Sequence, residues 1–323
     1  MHLRELVEIH AQPAPSGVPD WMLGFFKRYS ISFANGLSDI KTHVCWLQSR
    51  NFTIDLRLPI ESDQVLAKPL IEYSDLELQQ FANYEGWLAT SVWDGSMLSW
   101  RDTDISLQLH NRWTEPAILK RVGNCMVEFC PSDAYVEDWR LQPSAPGPLV
   151  GFRLLVEREL ASGRVRHTGG GLIVCGDYAG LVLGRARALS NPVGKPLKTL
   201  VAEAAGDSEA LSHLFDVETS VAKGCIETGF EVAYSTHAHL LKTLLFPLDG
   251  FEYPVQDADY EAEGTTLIRH TLEIDGIVCV RLFTLDTVET RLDFAQISDT
   301  TAEAAVWFER EFPTLTRYSE VLA

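Results

Sequence analysis

Asp55 and Arg57 stand two residues apart in the stretch Phe52–Leu58. There apolar and polar residues alternate, so on a strand the two share a face. Facing inward, Arg57 offers a forked donor to a ligand carboxylate or phosphate, with Asp55 beside it. Facing outward, the two form a solvated ion pair that contributes little. Glu137, Trp139 and Arg140 make a second group. Glu137 and Trp139 share one strand face and Arg140 takes the other. A tryptophan beside a carboxylate lines a pocket when its buried N–H needs an acceptor; otherwise it plugs a barrel end, and Trp46 has the same two options. Asp216 and Glu218 repeat the two-residue spacing. Two carboxylates on one face act as acid and base if burial separates their pKa values, or they lie on a solvated face.

Other constellations carry less. His237-Ala238-His239 has the spacing for two metal ligands on one face, and Asp216 and Glu218 are candidate carboxylate ligands. Two histidines are too few for a metal site, so no metal and no cofactor are expected. Ser235 precedes His237, but the chain has no Gly-x-Ser-x-Gly elbow. Gly169-Gly170-Gly171 is followed by an apolar strand pattern, not a helix, which excludes a phosphate loop; it reads as a hairpin turn.

The elements that hold these residues are mostly short strands. A period of two predicts strands over His43–Gln48, Phe52–Leu58, Trp87–Trp93, Met97–Arg101, Ile105–His110, Ile118–Val122, Cys125–Cys130 and Tyr135–Leu141. Beyond these the pattern predicts Leu149–Glu157, Arg164–His167, Leu172–Cys175, Ala179–Ala186, Phe215–Val221, Phe230–Thr236, Leu267–Ile274 and Ile277–Leu285. Asp94-Gly95 and Asp275-Gly276 are hairpin turn signals. Helices are expected at Asp75–Asn83, Pro196–His213 and Thr301–Phe312, with a helical turn carrying Trp21, Met22, Phe25 and Phe26. Trp46-Leu47-Gln48 and Trp139-Arg140-Leu141-Gln142 suggest an internal repeat, one copy in each half.

The 323 residues suit two domains, and 46% hydrophobic against 22% charged residues indicates a globular chain. A formal charge of −18 repels phosphate backbones and anionic membrane surfaces, so neither nucleic acid nor membrane is expected as a partner. The first residues alternate charged and apolar, unlike a secretion signal, and no run is long enough to span a bilayer. The six cysteines sit in apolar settings without CxxC spacing; with no such signal they read as reduced thiols of a cytoplasmic protein.

Val44-Cys45-Trp46-Leu47-Gln48, Asp55-Leu56-Arg57-Leu58-Pro59, Glu137-Asp138-Trp139-Arg140, Asp216-Val217-Glu218-Thr219-Ser220 and Ser235-Thr236 occur in that order. Across roughly residues 29–245 the chain thereby resembles an uncharacterised bacterial family with calycin, that is lipocalin-like, β-barrels. The resemblance implies a fold and no activity. The lipocalin Gly-x-Trp on the first strand is missing.

The expected fold is therefore mostly β, with two calycin-like antiparallel barrels and a few short helices. The expected divisions are a lead-in over 1–28, a first barrel over 29–130, a second over 131–290 and a helical segment over 291–323. The expected function is intracellular binding, in a barrel cavity, of a small, partly apolar ligand with an anionic end. Its site residues would be Trp46, Asp55, Arg57, Glu137, Trp139, Arg140, Asp216 and Glu218. The alternatives are a lyase, isomerase or hydrolase using carboxylates and arginine inside a barrel, and a scaffold whose outer face binds another protein.

Overall fold

The structure, a computed structural model, describes residues 1–109, 112–189, 195–260, 266–294 and 301–320; of 103, 104 and 315–320 it describes the backbone alone. Strand accounts for 47% and helix for 19%, as the strand periodicity leads one to expect.

The first sheet comprises β1 (Gly24–Phe33), β2 (Ser38–Asp39), β3 (His43–Gln48), β4 (Phe52–Leu58), β5 (Glu85–Trp93), β6 (Met97–Ser106), β7 (Ala117–Val122), β8 (Cys125–Phe129) and β9 (Tyr135–Leu141). Neighbouring strands are antiparallel, and β1 pairs with β9 from Phe26–Leu141 to Phe33–Tyr135. That pairing closes eight strands into a barrel, with β2 appended to β1. Tyr135–Leu141, which the sequence divisions assign to the second barrel, is thus the strand that closes the first. Trp46 and Trp139 lie in this one barrel with ring centroids 5.1 Å apart, so the two Trp motifs are not equivalent positions of two barrels.

The second sheet comprises β10 (Gly147–Glu159), β11 (Val165–Cys175), β12 (Tyr178–Arg185), β13 (Glu218–Cys225), β14 (Gly229–Ser235), β15 (Phe251–Val255), β16 (Leu267–Ile274) and β17 (Ile277–Leu292). Its order is β14-β13-β12-β11-β10-β17-β16-β15 and its edge strands do not pair with each other. The two-barrel expectation is therefore corrected to one closed barrel and one open, curved sheet. The open sheet surrounds a core of Phe152, Leu154, Leu181, Phe230, Phe251 and Phe283. Leu3, Leu6 and Val7 of α1 (Leu3–Ile9) complete that core.

The two sheets pack against each other through a face that reverses the usual barrel rule. All seven residues of β4 are buried. Phe52 and Ile54 turn outward, toward Gly151, Gly171 and Gly180 of the second sheet. Thr53, Asp55 and Arg57 therefore turn into the barrel. Burial on both faces explains why a strand with charged residues sits in a dry environment. The glycines permit the approach. A Cβ on Gly171 would meet Leu88 at 2.8 Å and Phe52 at 3.1 Å. Gly169–Gly171 is thus no hairpin turn, as the sequence suggests, but the middle of β11, with a bulge opposite β12.

The helices are short. α2 (Asp75–Phe81) starts with a capping box between Ser74 and Glu77, as its sequence pattern requires. The helical stretch expected over Pro196–His213 divides into α3 (Leu197–Glu203) and α4 (Ser208–Leu214), because Gly206 takes φ +84° and Asp207 caps the next helix. Phe25 and Phe26 belong to β1; only Asp20–Met22 form a helical turn. α5 (Ala302–Glu320) closes the described chain. The last residue of the strand expected over Ile105–His110 lies outside the described residues. Among these, no helix is long and apolar enough to cross a membrane.

Candidate functional site

Five of the eight expected site residues meet inside the closed barrel. Trp46 comes from β3, Asp55 and Arg57 from β4, and Glu137 and Trp139 from β9. Arg57 grips Asp55 through two hydrogen bonds, Nε at 2.8 Å and Nη2 at 3.2 Å. Burial raises the Asp55 pKa despite its partner, but the two-point geometry is that of a carboxylate facing a guanidinium, the state assigned here. Trp113 lies over the same guanidinium, 4.1 Å away. Arg28 bridges Glu137 and Asp39, at 2.8 Å to each.

Sequence reasoning missed the rest of this lining: Trp87, Trp100, Trp113, Glu128 and Tyr135. Glu128 accepts from the Trp139 indole at 2.9 Å and from Tyr135 at 3.3 Å. Burial, then repulsion from Glu137, push its carboxyl up to about 8. The void these side chains leave is about 10 Å³. That is space for no more than about one water. The ligand expected between Trp46, Trp139 and Arg57 has no room there.

Arg140 is not in the barrel at all. One residue after an inward Trp139, it points out, with its side chain 49% exposed and paired to Asp138 at 2.7 Å. It cannot fix the end of an interior ligand.

Asp216 and Glu218 line a different space, a cavity of about 680 Å³ between the open sheet and the segment that links β4 to β5. Asp216 precedes β13 and Glu218 begins it. Register builds the floor: Glu157 of β10 stands opposite His167 of β11 and Arg281 of β17. Arg281 donates through Nε to Glu157 at 2.7 Å, and Arg166 through Nε at 3.1 Å. Burial alone would raise Glu157; Arg281, His167 and Arg166 outweigh it and hold the carboxylate below its ordinary range. For Glu218 burial wins and its pKa rises, although Ser220 donates to it at 2.8 Å. His167 Nδ1 sits 2.9 Å from the Gly184 carbonyl and 4.0 Å from Asp216. A carbonyl only accepts, so Nδ1 carries a proton and donates to it.

Apolar residues form much of the remaining wall, among them Tyr73, Leu240, Phe246 and the stacked pair Phe81 and Phe215, 4.2 Å apart, while Lys68, Thr236, Glu273 and Asp275 also line the space. His237 also lines the cavity. Burial and His239 lower its pKa to about 4, so at neutral pH it is uncharged, with Nε2 3.1 Å from the Val217 carbonyl. His237 precedes, and His239 lies within, a helical turn after β14, so the two do not share a strand face. Among the described residues, no three His, Cys, Asp or Glu side chains are grouped to hold a metal. Of the floor residues, Arg166 and His167 are neighbours in the run Arg164-Val165-Arg166-His167. Glu157 and Arg281 lie 124 positions apart and leave no local signal.

Fold and site define a mostly β protein that joins a closed, filled eight-strand barrel to an open sheet bearing a half-polar cavity. No protein-family model and no curated protein matches the chain. Among solved structures it is similar to the uncharacterized protein YLR301w from Saccharomyces cerevisiae, at 9% identity and a TM-score of 0.42, covering 82% of this chain and 98% of that one.

Proposed function

We propose that the chain is a binding protein for a small, partly apolar ligand with an anionic end, seated in the cavity of the open sheet. The observation that carries this is the pair Arg166 and Arg281. Each is anchored on Glu157 through Nε, and among the described residues neither terminal guanidinium nitrogen of either has a hydrogen-bond partner. Both face a cavity of about 680 Å³ whose walls are partly apolar. Ligand sites combine such walls with a few placed polar groups. Two preoriented guanidinium edges suit a carboxylate or phosphate. We read the closed barrel as calycin-like, akin to an uncharacterised bacterial family, and serving as scaffold. A cytoplasmic location and the lack of a nucleic-acid or membrane partner belong to the same reading, supported by the charge of −18 and six free cysteines.

Native mass spectrometry of the purified chain tests this. The expected result is a bound small molecule, carrying a carboxylate or phosphate, that is lost in Arg166→Gln and kept in Arg140→Gln. A ligand that stays in Arg166→Gln, or one without an acidic group, contradicts the reading.

A second reading rests on Glu218. Burial raises its pKa, and it shares the cavity wall with His167, so the two are candidates for the acid and the base of a proton transfer. In a lyase, isomerase or hydrolase of this design, Glu218→Gln would retain the ligand and abolish its turnover.

A further inference from the structure

A second cavity, of about 660 Å³, opens at the mouth of the closed barrel, apart from the one on the open sheet. Its floor is the Arg57 guanidinium with the Trp113 ring over it. Its walls carry Arg28 and Asp39, Glu85, and the side-chain amides of Gln64, Gln80 and Asn83.

The arginines in this cavity are all held by carboxylates, and Asp63 is a lining carboxylate with no basic partner among the described residues. Arg28 is held by Glu137 and Asp39, Arg57 by Asp55, and Glu85 by Arg112 at 2.9 Å. An anionic ligand would have to break one of these pairs, at the cost of leaving a buried charge unpaired, and would meet the Asp63 carboxylate. Hydrogen-bonding capacity is left over. Arg57 is 7% exposed, and its Nη1 has no partner among the described residues. A buried donor without an acceptor is costly. Planar polar side chains and a carboxylate beside an indole, with no arginine left free for an anion, recognise hydroxyl groups on a ring whose C–H faces are apolar.

We propose that the mouth of the closed barrel is a second binding site, for a neutral, hydroxyl-rich ligand of the saccharide class. The ligand's ring lies along Trp113, the amides of Gln80 and Asn83 take its hydroxyls, and one hydroxyl oxygen accepts from Arg57 Nη1. The site is independent of the one on the open sheet, since it shares none of its charged groups.

Saturation-transfer NMR and calorimetry with maltose and cellobiose, beside glucuronate and glucose 6-phosphate, provide the test. Gln80 and Asn83 are exposed, so Gln80→Ala and Asn83→Ala keep the fold. The expected result is binding of at least one neutral disaccharide, weaker binding of both charged sugars, and a loss of about fivefold or more in the Asn83→Ala, Gln80→Ala double variant. Failure of both disaccharides to bind, tighter binding of either charged sugar, or affinity unchanged in the double variant overturns the proposal. None of these results bears on Arg166, so the open-sheet reading stands or falls separately.

Discussion

Glu128 and Glu137 face each other across β8 and β9 inside the closed barrel. Glu137 has Arg28 as partner, so Glu128 is the one that keeps its proton, up to about pH 8. In an unfolded chain a glutamate releases that proton near about pH 4.3. Between these limits the folded state holds a proton the unfolded state has lost, so stability falls as pH rises, by at most about 1.4 kcal/mol per pH unit. Glu128→Gln cannot ionise and should flatten that fall, raising the urea midpoint at pH 8 relative to the parent. Equal pH dependence in both proteins would contradict this. The chain also makes one motif twice: Asp55–Arg57 buried and Asp138–Arg140 exposed. Asp55→Asn strands a buried guanidinium and should cost about 3–5 kcal/mol, whereas Asp138→Asn should stay within about 0.5 kcal/mol. Urea unfolding of both measures the difference. From sequence the two pairs are indistinguishable in kind, because the spacing states which residues share a face and not which face is dry.

At the level of the element, β4 and β11 explain both the legible and the illegible parts of the fold. The bounds of β4 and the alternation of its residues are plain in the sequence, since Pro59 ends it and each second residue is apolar. The direction of its faces is not, because the apolar set packs on a second sheet and the polar set fills the barrel. β11 is the converse. Its three glycines look like a turn by composition, and only the tertiary contact reveals them as space for Phe52 and Leu88. Gly171→Ala should therefore destabilise by about 1–3 kcal/mol, as overpacking does. Were Gly169–Gly171 a hairpin turn instead, that substitution would meet no neighbour of the other sheet. Chemical denaturation separates the two outcomes. The short α1 and β15 also escaped the sequence reading. α1 has too few turns to fix a period, and β15 is interrupted by Pro254.

Over the whole molecule, the barrel and the open sheet divide the work. The barrel is filled by tryptophans and paired charges, leaving about 10 Å³, while the open sheet keeps about 680 Å³. Six of the eight residues singled out by spacing, Asp216 and Glu218 excepted, belong to the filled half. The guanidinium groups facing the larger space, Arg166 and Arg281, are brought together because β10 pairs with β11 on one side and with the distant β17 on the other. No local pattern could have joined them. The account's central claim is that these two arginines select an anionic end. Calorimetry with octanoate and octanol, which share a chain length and differ in charge, tests it most directly. Octanoate should bind at least about tenfold more tightly than octanol, and Arg166→Gln, which leaves Glu157 paired with Arg281, should erase the difference. Equal affinity for acid and alcohol in the parent protein, or a preference for octanoate that survives in Arg166→Gln, would contradict the account.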